Sequence, residues 1–203
     1  MNRPRLFSGM AIKLKHDDSY LFYFCTFTCY HWLWLYEMTQ SYDLVYQWFD
    51  VMKNNGYNTI AYVIMPNHVH VILYFPEAGF DLNKIIGNAK RFMAYEIVNR
   101  LEQAGRIDIL SYLSKALSVR ERKKGQLHKV FSDSFDAKAI YTEKFFNQKL
   151  NYIHLNPVTG KWQLVDDYTK YEHSSASFYE TGEVKRYVPY DFRLLAFCGR
   201  PLC

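Results

Sequence analysis

The sequence is poor in cysteine, and its few cysteines do not form a recognisable framework. Four occur in 203 residues, and none belongs to a CxxC pair. Cys25 and Cys29 would share one face of a strand, whereas Cys198 and Cys203 lie in the C-terminal tail. Reduced, structural cysteines are typical of a cytosolic protein, so we expect a cytoplasmic location. A zinc site made of Cys25, Cys29 and His31 is a weaker alternative.

The sequence also lacks a long apolar run and a signal-peptide core. Residues 1–18 mix charged and apolar side chains, which argues against a secretory signal. Residues 20–36 carry no Asp, Glu, Lys or Arg, but a membrane-spanning helix needs roughly 20 predominantly apolar residues. This stretch is shorter, is rich in Tyr and Thr, and is interrupted by His31. We therefore expect a buried strand followed by an aromatic turn, and no membrane partner.

The composition is that of a folded chain with a basic middle third. Hydrophobic residues make up 49% and aromatic residues 18%, which excludes a disordered protein. The formal net charge is +5, and residues 84–129 contain eleven Lys and Arg against four Asp and Glu. We expect one domain over residues 1–203, with a basic helical insertion at about 82–128 and a tail at about 160–203. The concentrated positive charge favours a polyanionic partner.

Hydrophobic periodicity predicts an α+β fold. Strands are predicted at residues 20–30, 57–65, 68–75 and 129–141, and helices at 41–54, 82–101 and 107–122. A further helix follows Thr142, whose hydroxyl can cap its first turn, and it lies near the C-terminal third. Strand, helix, two strands, helix, strand is the order of a ferredoxin-like antiparallel sheet with helices on one face. A short Pro-Asn link predicts that the second and third strands form a hairpin.

Two histidines stand two residues apart in the third predicted strand, where residues 65–73 read MPNHVHVIL. Side chains alternate along a strand, so His68, His70 and Ile72 share one face, and Val69 and Val71 lie on the other. Two adjacent imidazoles could bind one metal ion. The alternative is a pair of half-buried histidines that only form hydrogen bonds.

A second polar group lies about eighty residues later, in the helix predicted over residues 145–157. Its apolar positions recur at helical spacing, and the neighbouring stripe carries Lys149, Tyr152 and Asn156. Tyr152 and Asn156 are four residues apart, so a hydroxyl and an amide oxygen would project from one side of the helix. Pro157 disfavours helical geometry at Asn156 and places this pair on the last turn. The alternative is an amphipathic helix that simply ends at a polar residue.

Together, residues 65–72 (MPNHVHVI) and 150–158 (LNYIHLNPV) resemble the HUH single-tyrosine transposases. The resemblance extends over residues 20–179 and favours the group associated with repetitive extragenic palindromes within the insertion-sequence transposase superfamily. It implies that His68 and His70 are metal ligands, that Tyr152 is the nucleophile and that Asn156 is the third ligand. Insertion-sequence relatives usually carry glutamine at the position of Asn156.

The resemblance also implies the reaction and its partners. The expected activity is cleavage and rejoining of single-stranded DNA beside a hairpin of palindromic repeats, through a 5′-phosphotyrosine intermediate. A divalent cation, Mg²⁺ or Mn²⁺, is expected because the ion must exchange phosphate oxygens readily. Lys149 is expected to help the Tyr152 hydroxyl react, because an unperturbed tyrosine has a pKa of about 10. The protein would be nucleoid-associated and would act as a monomer or a homodimer.

The basic middle third supplies candidate contacts to the DNA backbone. These candidates are Lys90, Arg91, Arg120, Arg122, Lys123, Lys124 and Lys129. A solvated charged surface is the alternative for them. Phe92, Tyr95 and Tyr112 could stack on unpaired bases, but their helical spacing favours burial in the core. Two other functions stay open: a domesticated, non-catalytic binder of structured DNA or RNA, and a phosphodiesterase that uses water as its nucleophile.

Overall fold

The structure is a computed structural model and describes residues 20–195. Its strands are β1 (Phe22–Thr28), β2 (Asn58–Met65), β3 (His68–Tyr74) and β4 (Asp136–Ile140). Its helices are α1 (Leu35–Met38), α2 (Tyr42–Asn54), α3 (Leu82–Gln103), α4 (Ile107–Lys115), α5 (Val119–Lys123), α6 (Glu143–Leu155) and α7 (Ala176–Thr181). Short 3₁₀ turns cover Tyr30–Trp32, Asn156–Val158, Tyr168–Lys170 and Phe192–Leu194.

The four strands form one sheet in the order β2-β3-β1-β4, with every neighbouring pair antiparallel. The predicted hairpin between β2 and β3 is confirmed, because Met65 pairs with His68 across the two-residue Pro66-Asn67 link. The helix α2 connects β1 to β2, and α3 to α5 connect β3 to β4. The predicted α+β class and its antiparallel, ferredoxin-like sheet are therefore confirmed.

The sheet is covered on both faces, which differs from the predicted arrangement with helices on one face. On the first face, Val69, Val71 and Leu73 join the core that α2 and α3 cover. On the second face, Ile72 packs in a separate core with Phe146 and Ile153 of α6. The physical reason is that β1 and β2 carry apolar side chains on both sides, so the second face must also be covered to exclude water.

The connection between α3 and β4 differs from the predicted single helix over residues 107–122. The helix stops after α4 and restarts at α5, where the Ser118 hydroxyl accepts from the Glu121 amide and the Glu121 carboxylate accepts from the Ser118 amide. This reciprocal cap starts a new helix. The strand predicted over residues 129–141 is also shorter, because only Phe131 bridges to Cys29 before β4 begins at Asp136.

The segment after α6 covers the outer edge of β2, the edge that does not pair with β3. Ser174 forms an isolated bridge with Val63, and the amide of Ile64 donates to the carbonyl of His173 at 2.8 Å. Further along, the amide of Tyr190 donates to the carbonyl of Thr59 at 2.8 Å. Covering an edge strand prevents it from pairing with other chains. The predicted tail is thus packed against the sheet up to residue 195, while Cys198 and Cys203 lie outside the described residues.

The buried cysteines and the helices of residues 20–195 bear on the zinc alternative and on the expectation that no segment spans a membrane. Cys25 and Cys29 are free and fully buried, and burial raises the pKa of both thiols. Within this range, no group of three or more His, Cys, Asp and Glu side chains could hold a metal ion, so the zinc alternative with His31 is wrong. No helix in the same range is long and apolar enough to cross a membrane.

Candidate active site

The two histidines of β3 lie side by side on the sheet face that α6 covers. Their ring centroids are 4.6 Å apart, and the residues are 2% and 5% exposed. Burial, together with the positive charge of Lys161, lowers the pKa of His68 to about 4, although the neighbouring Asn156 side chain acts in the opposite direction. Burial also lowers the pKa of His70 well below its ordinary value, with His68 and Lys149 adding to the effect. Both imidazoles are therefore neutral near pH 7, the form that binds metals.

Hydrogen bonds fix the orientation of both imidazole rings. The Asn67 amide donates from Nδ2 to the Trp32 carbonyl at 2.8 Å, so its Oδ1 must accept from Nδ1 of His68 at 2.6 Å. Nδ1 of His70 lies 2.7 Å from the Thr26 hydroxyl, which pairs with it across β1 and β3. Because Nδ1 of each ring is engaged, Nε2 of each ring is left for a metal or a substrate group.

The Tyr152 hydroxyl meets this pair from α6. Its oxygen is 3.4 Å from Nε2 of His70, and the two ring centroids are 5.0 Å apart. The residue is 47% exposed, so a large substrate can reach the hydroxyl. The helix begins as predicted, since the Thr142 hydroxyl accepts from the amide of Phe145 at 3.2 Å. The apolar stripe of α6 is buried against the sheet, and this directs the neighbouring stripe with Tyr152 toward His70.

Asn156 completes the group at the end of α6. Its side chain lies beside His68 and is 6% exposed. Its Oδ1 atom is buried and forms no hydrogen bond with any residue of the described range. A buried oxygen without a partner is costly, and a cation would satisfy it. Two imidazole nitrogens and this amide oxygen therefore fit a divalent ion.

Lys149 lies on the same side of α6 as Tyr152. Its ammonium is 4.7 Å from the ring centroid of Phe24 and 5.4 Å from that of Tyr152. Burial lowers the pKa of Lys149, and the positive charge of Lys138 lowers it further. A cation held against the faces of these two aromatic rings can attract a phosphate.

Two of the candidate DNA contacts are engaged inside the protein. The Lys90 ammonium donates to the carbonyl of Ser132 at 2.6 Å, and burial lowers its pKa to about 8. Lys129 is buried and forms 2.9 Å ion pairs with Glu121 and Asp133. Both lysines hold the segment before β4 in place, and their predicted contact with DNA stays a prediction.

The other basic candidates are exposed and distant from Tyr152 in the fold. These residues are Arg91, Arg120, Arg122, Lys123 and Lys124. Arg91 lies on α3, which packs on the sheet face opposite α6, and α5 follows α4, which packs on α3. The expectation that Phe92, Tyr95 and Tyr112 are buried is wrong, because they are 62%, 68% and 44% exposed.

Five further residues lie in or beside the site, and the sequence motifs did not identify them. These residues are Thr26, Trp32, Asn67, Lys161 and Trp162. Asn67 had a local signal, because it directly precedes His68 in the hairpin link. Thr26 reaches His70 only through the pairing of β1 with β3, and Trp32 and Trp162 approach His68 from distant parts of the chain.

Comparison with solved structures identifies the fold. The structure of a REP-associated tyrosine transposase bound to a REP hairpin matches with a TM-score of 0.56 and 16% identity, over 86% of this chain and 91% of that chain. A candidate transposase from Deinococcus radiodurans matches over 75% of this chain and 95% of that chain at 15% identity, but its TM-score of 0.40 carries no argument. No protein-family model and no curated protein matches the sequence. The chain therefore shares its fold with this REP-associated tyrosine transposase.

Proposed function

We propose that this protein is a transposase that cleaves and rejoins single-stranded DNA at hairpin-flanked sites, with Tyr152 as its nucleophile. The observation that carries the proposal is the 3.4 Å approach of the Tyr152 hydroxyl to Nε2 of His70, beside a second oriented imidazole. The exposure of the hydroxyl suits a polymeric substrate. The shared fold supports the choice of substrate, since the REP-associated transposase of the same fold is bound to a REP hairpin.

In the proposed reaction, the Tyr152 oxygen attacks the scissile phosphorus and loses its proton. The bond between phosphorus and the 3′ oxygen breaks, and the departing oxygen takes up a proton in place of the one that Tyr152 released. The products are a free 3′-hydroxyl and a 5′-phosphotyrosine link. A second 3′-hydroxyl can attack this link, which releases Tyr152 and joins two strands. The Lys149 ammonium, which lies 5.4 Å from the ring centroid of Tyr152, attracts the scissile phosphate and offsets its negative charge.

His68, His70 and Asn156 would hold the divalent cation, Mg²⁺ or Mn²⁺. When bound, the ion neutralises and orients the scissile phosphate. Asn67 keeps His68 in the tautomer that presents an unprotonated Nε2, and Thr26 holds the ring of His70 in place through its Nδ1. The Asn156 amide supplies an oxygen that is already buried and free of hydrogen bonds in the described part of the chain.

A covalent adduct tests the nucleophile directly. Because the target sequence is unknown, the substrate is a pool of labelled DNA hairpins whose single-stranded flanks are randomised, incubated with Mn²⁺. On a denaturing gel, we expect the protein to become attached to the 3′ fragment through its 5′ phosphate. Tyr152→Phe abolishes the adduct. Tyr141→Phe is the matched control, because Tyr141 is also exposed and lies just before α6, and it leaves the adduct unchanged.

The other two functions give different results in this experiment. Metal-dependent cleavage that persists in Tyr152→Phe, without an adduct, would indicate a phosphodiesterase that uses water. Tight binding without cleavage across the whole pool would indicate a domesticated binder. Light scattering of the free protein and of the DNA complex distinguishes a monomer from a homodimer.

A further inference from the structure

An exposed aromatic surface lies directly beside the candidate active site. It consists of Trp32, Trp34 and Trp162 together with Lys161, and we call it the tryptophan platform. The rings of Trp32 and Trp162 lie 5.4 Å and 5.6 Å from the ring of His68, measured between centroids. Trp34 extends the surface, since its ring lies 5.9 Å from that of Trp162. The platform is thus continuous with the group around His68.

The exposure of these rings is unusual for tryptophan. Trp32 is 54% exposed, Trp34 is 48% exposed and Trp162 is partly exposed, although the chain has only four tryptophans. The fourth, Trp48, is 7% exposed within the core under α2. Large apolar surfaces are normally buried, and an exposed cluster marks a surface that binds a partner.

The backbone is strained at the turn that carries Trp32. His31 and Trp32 have φ angles of 49° and 59°, a left-handed conformation that side chains with a β-carbon rarely adopt. Two hydrogen bonds fix the turn. The Asn67 side-chain amide donates to the Trp32 carbonyl, and His31 and Tyr112 form a 2.6 Å hydrogen bond. The same Asn67 side chain orients His68. Strain of this kind persists where the surroundings impose it, and it is concentrated at functional sites.

The platform also carries a positive charge. The Lys161 ammonium lies 5.6 Å from the ring centroid of Trp32 and 5.2 Å from that of Trp162. Aromatic faces combined with a cation are the features by which proteins bind single-stranded nucleic acid, since bases stack on the rings and the cation attracts the phosphates. An apolar protein partner would need no cation against these two rings.

We propose that Trp32, Trp34 and Trp162 stack the unpaired bases next to the scissile phosphate, while Lys161 contacts the DNA backbone between them. The inference rests on the proposed function, because it takes the strand that reaches Tyr152 to be single-stranded DNA. The platform then holds the strand in register with the Tyr152 hydroxyl, and it is a positioning surface with no catalytic residue.

Tryptophan fluorescence tests this binding mode in the uncleavable Tyr152→Phe protein. A hairpin with single-stranded flanks quenches the emission, whereas a blunt hairpin with the same stem does not. Trp32→Leu and Trp162→Leu each weaken binding of the flanked hairpin by roughly ten- to hundredfold, the range expected for one lost stacking contact. Trp162→Phe retains most of the affinity because it keeps an aromatic face. Lys161→Met reduces the slope of log K against log salt by about 0.7.

Matched controls and alternative occupants give distinct outcomes. Tyr141→Leu leaves binding unchanged, because Tyr141 is 59% exposed but lies just before α6, where its ring faces Phe145. Wild-type affinity in Trp32→Leu and Trp162→Leu overturns the proposal. Tighter binding of an RNA flank than of a DNA flank also overturns it, because the platform would then bind RNA. A dimer that the same two substitutions dissociate overturns it as well, because the platform would then bind a second copy of the chain.

Failure of the proposed function can be recognised separately. If the wild-type protein forms no adduct but the platform variants still weaken binding of the flanked hairpin, the proposal for the platform is supported and the proposed Tyr152 mechanism is refuted. If the adduct forms and the platform variants bind and react as the wild type does, only the platform is refuted.

Discussion

Replacement of Thr26 by valine removes the hydroxyl that orients His70 and puts a methyl group of similar size in its place. The hydroxyl lies 2.7 Å from Nδ1 of His70, in the register that pairs the two residues across β1 and β3. Valine has nearly the same shape, so Thr26→Val keeps the packing while leaving a buried ring nitrogen without a partner. An unsatisfied buried polar group costs about 1–3 kcal/mol. The ring can recover part of this cost only by turning away from the position that faces Tyr152.

The expected loss of activity is larger than the loss of stability suggests. Outer-shell partners of metal-binding histidines typically contribute 10- to 100-fold in metal affinity or activity. We therefore expect Thr26→Val to form the DNA adduct about 10- to 100-fold more slowly at limiting Mn²⁺, and to recover part of this rate when Mn²⁺ is raised. Single-turnover gels at several Mn²⁺ concentrations measure both effects.

Thr59→Val is the matched control on the same sheet. Thr59 is likewise a strand threonine, and it is buried, but its hydroxyl has no hydrogen-bond partner within the described residues. Its replacement should leave the adduct rate unchanged and raise the free energy of unfolding by about 1 kcal/mol. An adduct rate for Thr26→Val equal to that of the wild type at limiting metal would refute the argument that this hydroxyl positions His70.

Two other predictions concern the metal and pH. Asn156→Ala should weaken Mn²⁺ binding about tenfold or more in electron paramagnetic resonance titrations. Asn156→Gln keeps an amide oxygen and should bind Mn²⁺ more tightly than the alanine variant. Equal Mn²⁺ affinity in the alanine variant and the wild type would show that Asn156 is not a ligand. Burial lowers the pKa of His154 and His173 to about 4, so below pH 6.5 the unfolded chain binds protons that the folded chain does not. Stability should therefore be fully present above pH 6.5 and fall as the pH drops toward 4, with a lower urea midpoint at pH 5 than at pH 7.5. His154→Gln should reduce this dependence, and a midpoint that does not change with pH would contradict it.

The features that the sequence predicted are those with a local cause. Alternation along β3 assigned His68 and His70 to the face of Ile72, and the structure confirms this assignment because the rule depends only on neighbouring residues. The Pro66-Asn67 hairpin and the cap at Thr142 also depend on adjacent residues. The break before α5 was not predicted, although Ser118 and Glu121 have the spacing of a capping box and gave a local signal for it.

Apart from Asn67, the residues that surround His68 and His70 could not be predicted, because they come from contacts between distant parts of the chain. Thr26 approaches His70 through a register that is set by the whole sheet, across 44 positions of sequence. Trp162 approaches His68 from the segment after α6, and Trp32 does so only through a left-handed turn. Tryptophan is a poor residue for such a turn by sequence preference, so this conformation is imposed by its surroundings.

The meeting of the two motifs nevertheless follows from a topological rule. Connections between parallel strands of one sheet are right-handed, so α2, between β1 and β2, and α3, between β3 and β4, pack on the same face. The opposite face, which carries His68, His70 and Ile72, then has to be covered by an element that follows β4. The first such element is α6, whose apolar stripe packs there through Phe146 and Ile153. The stripe with Tyr152 and Asn156 is next to that apolar stripe, so burial of one directs the other along the sheet to the histidines. Two local periodicities and one rule of handedness are thus sufficient to bring the candidate nucleophile to the candidate ligands.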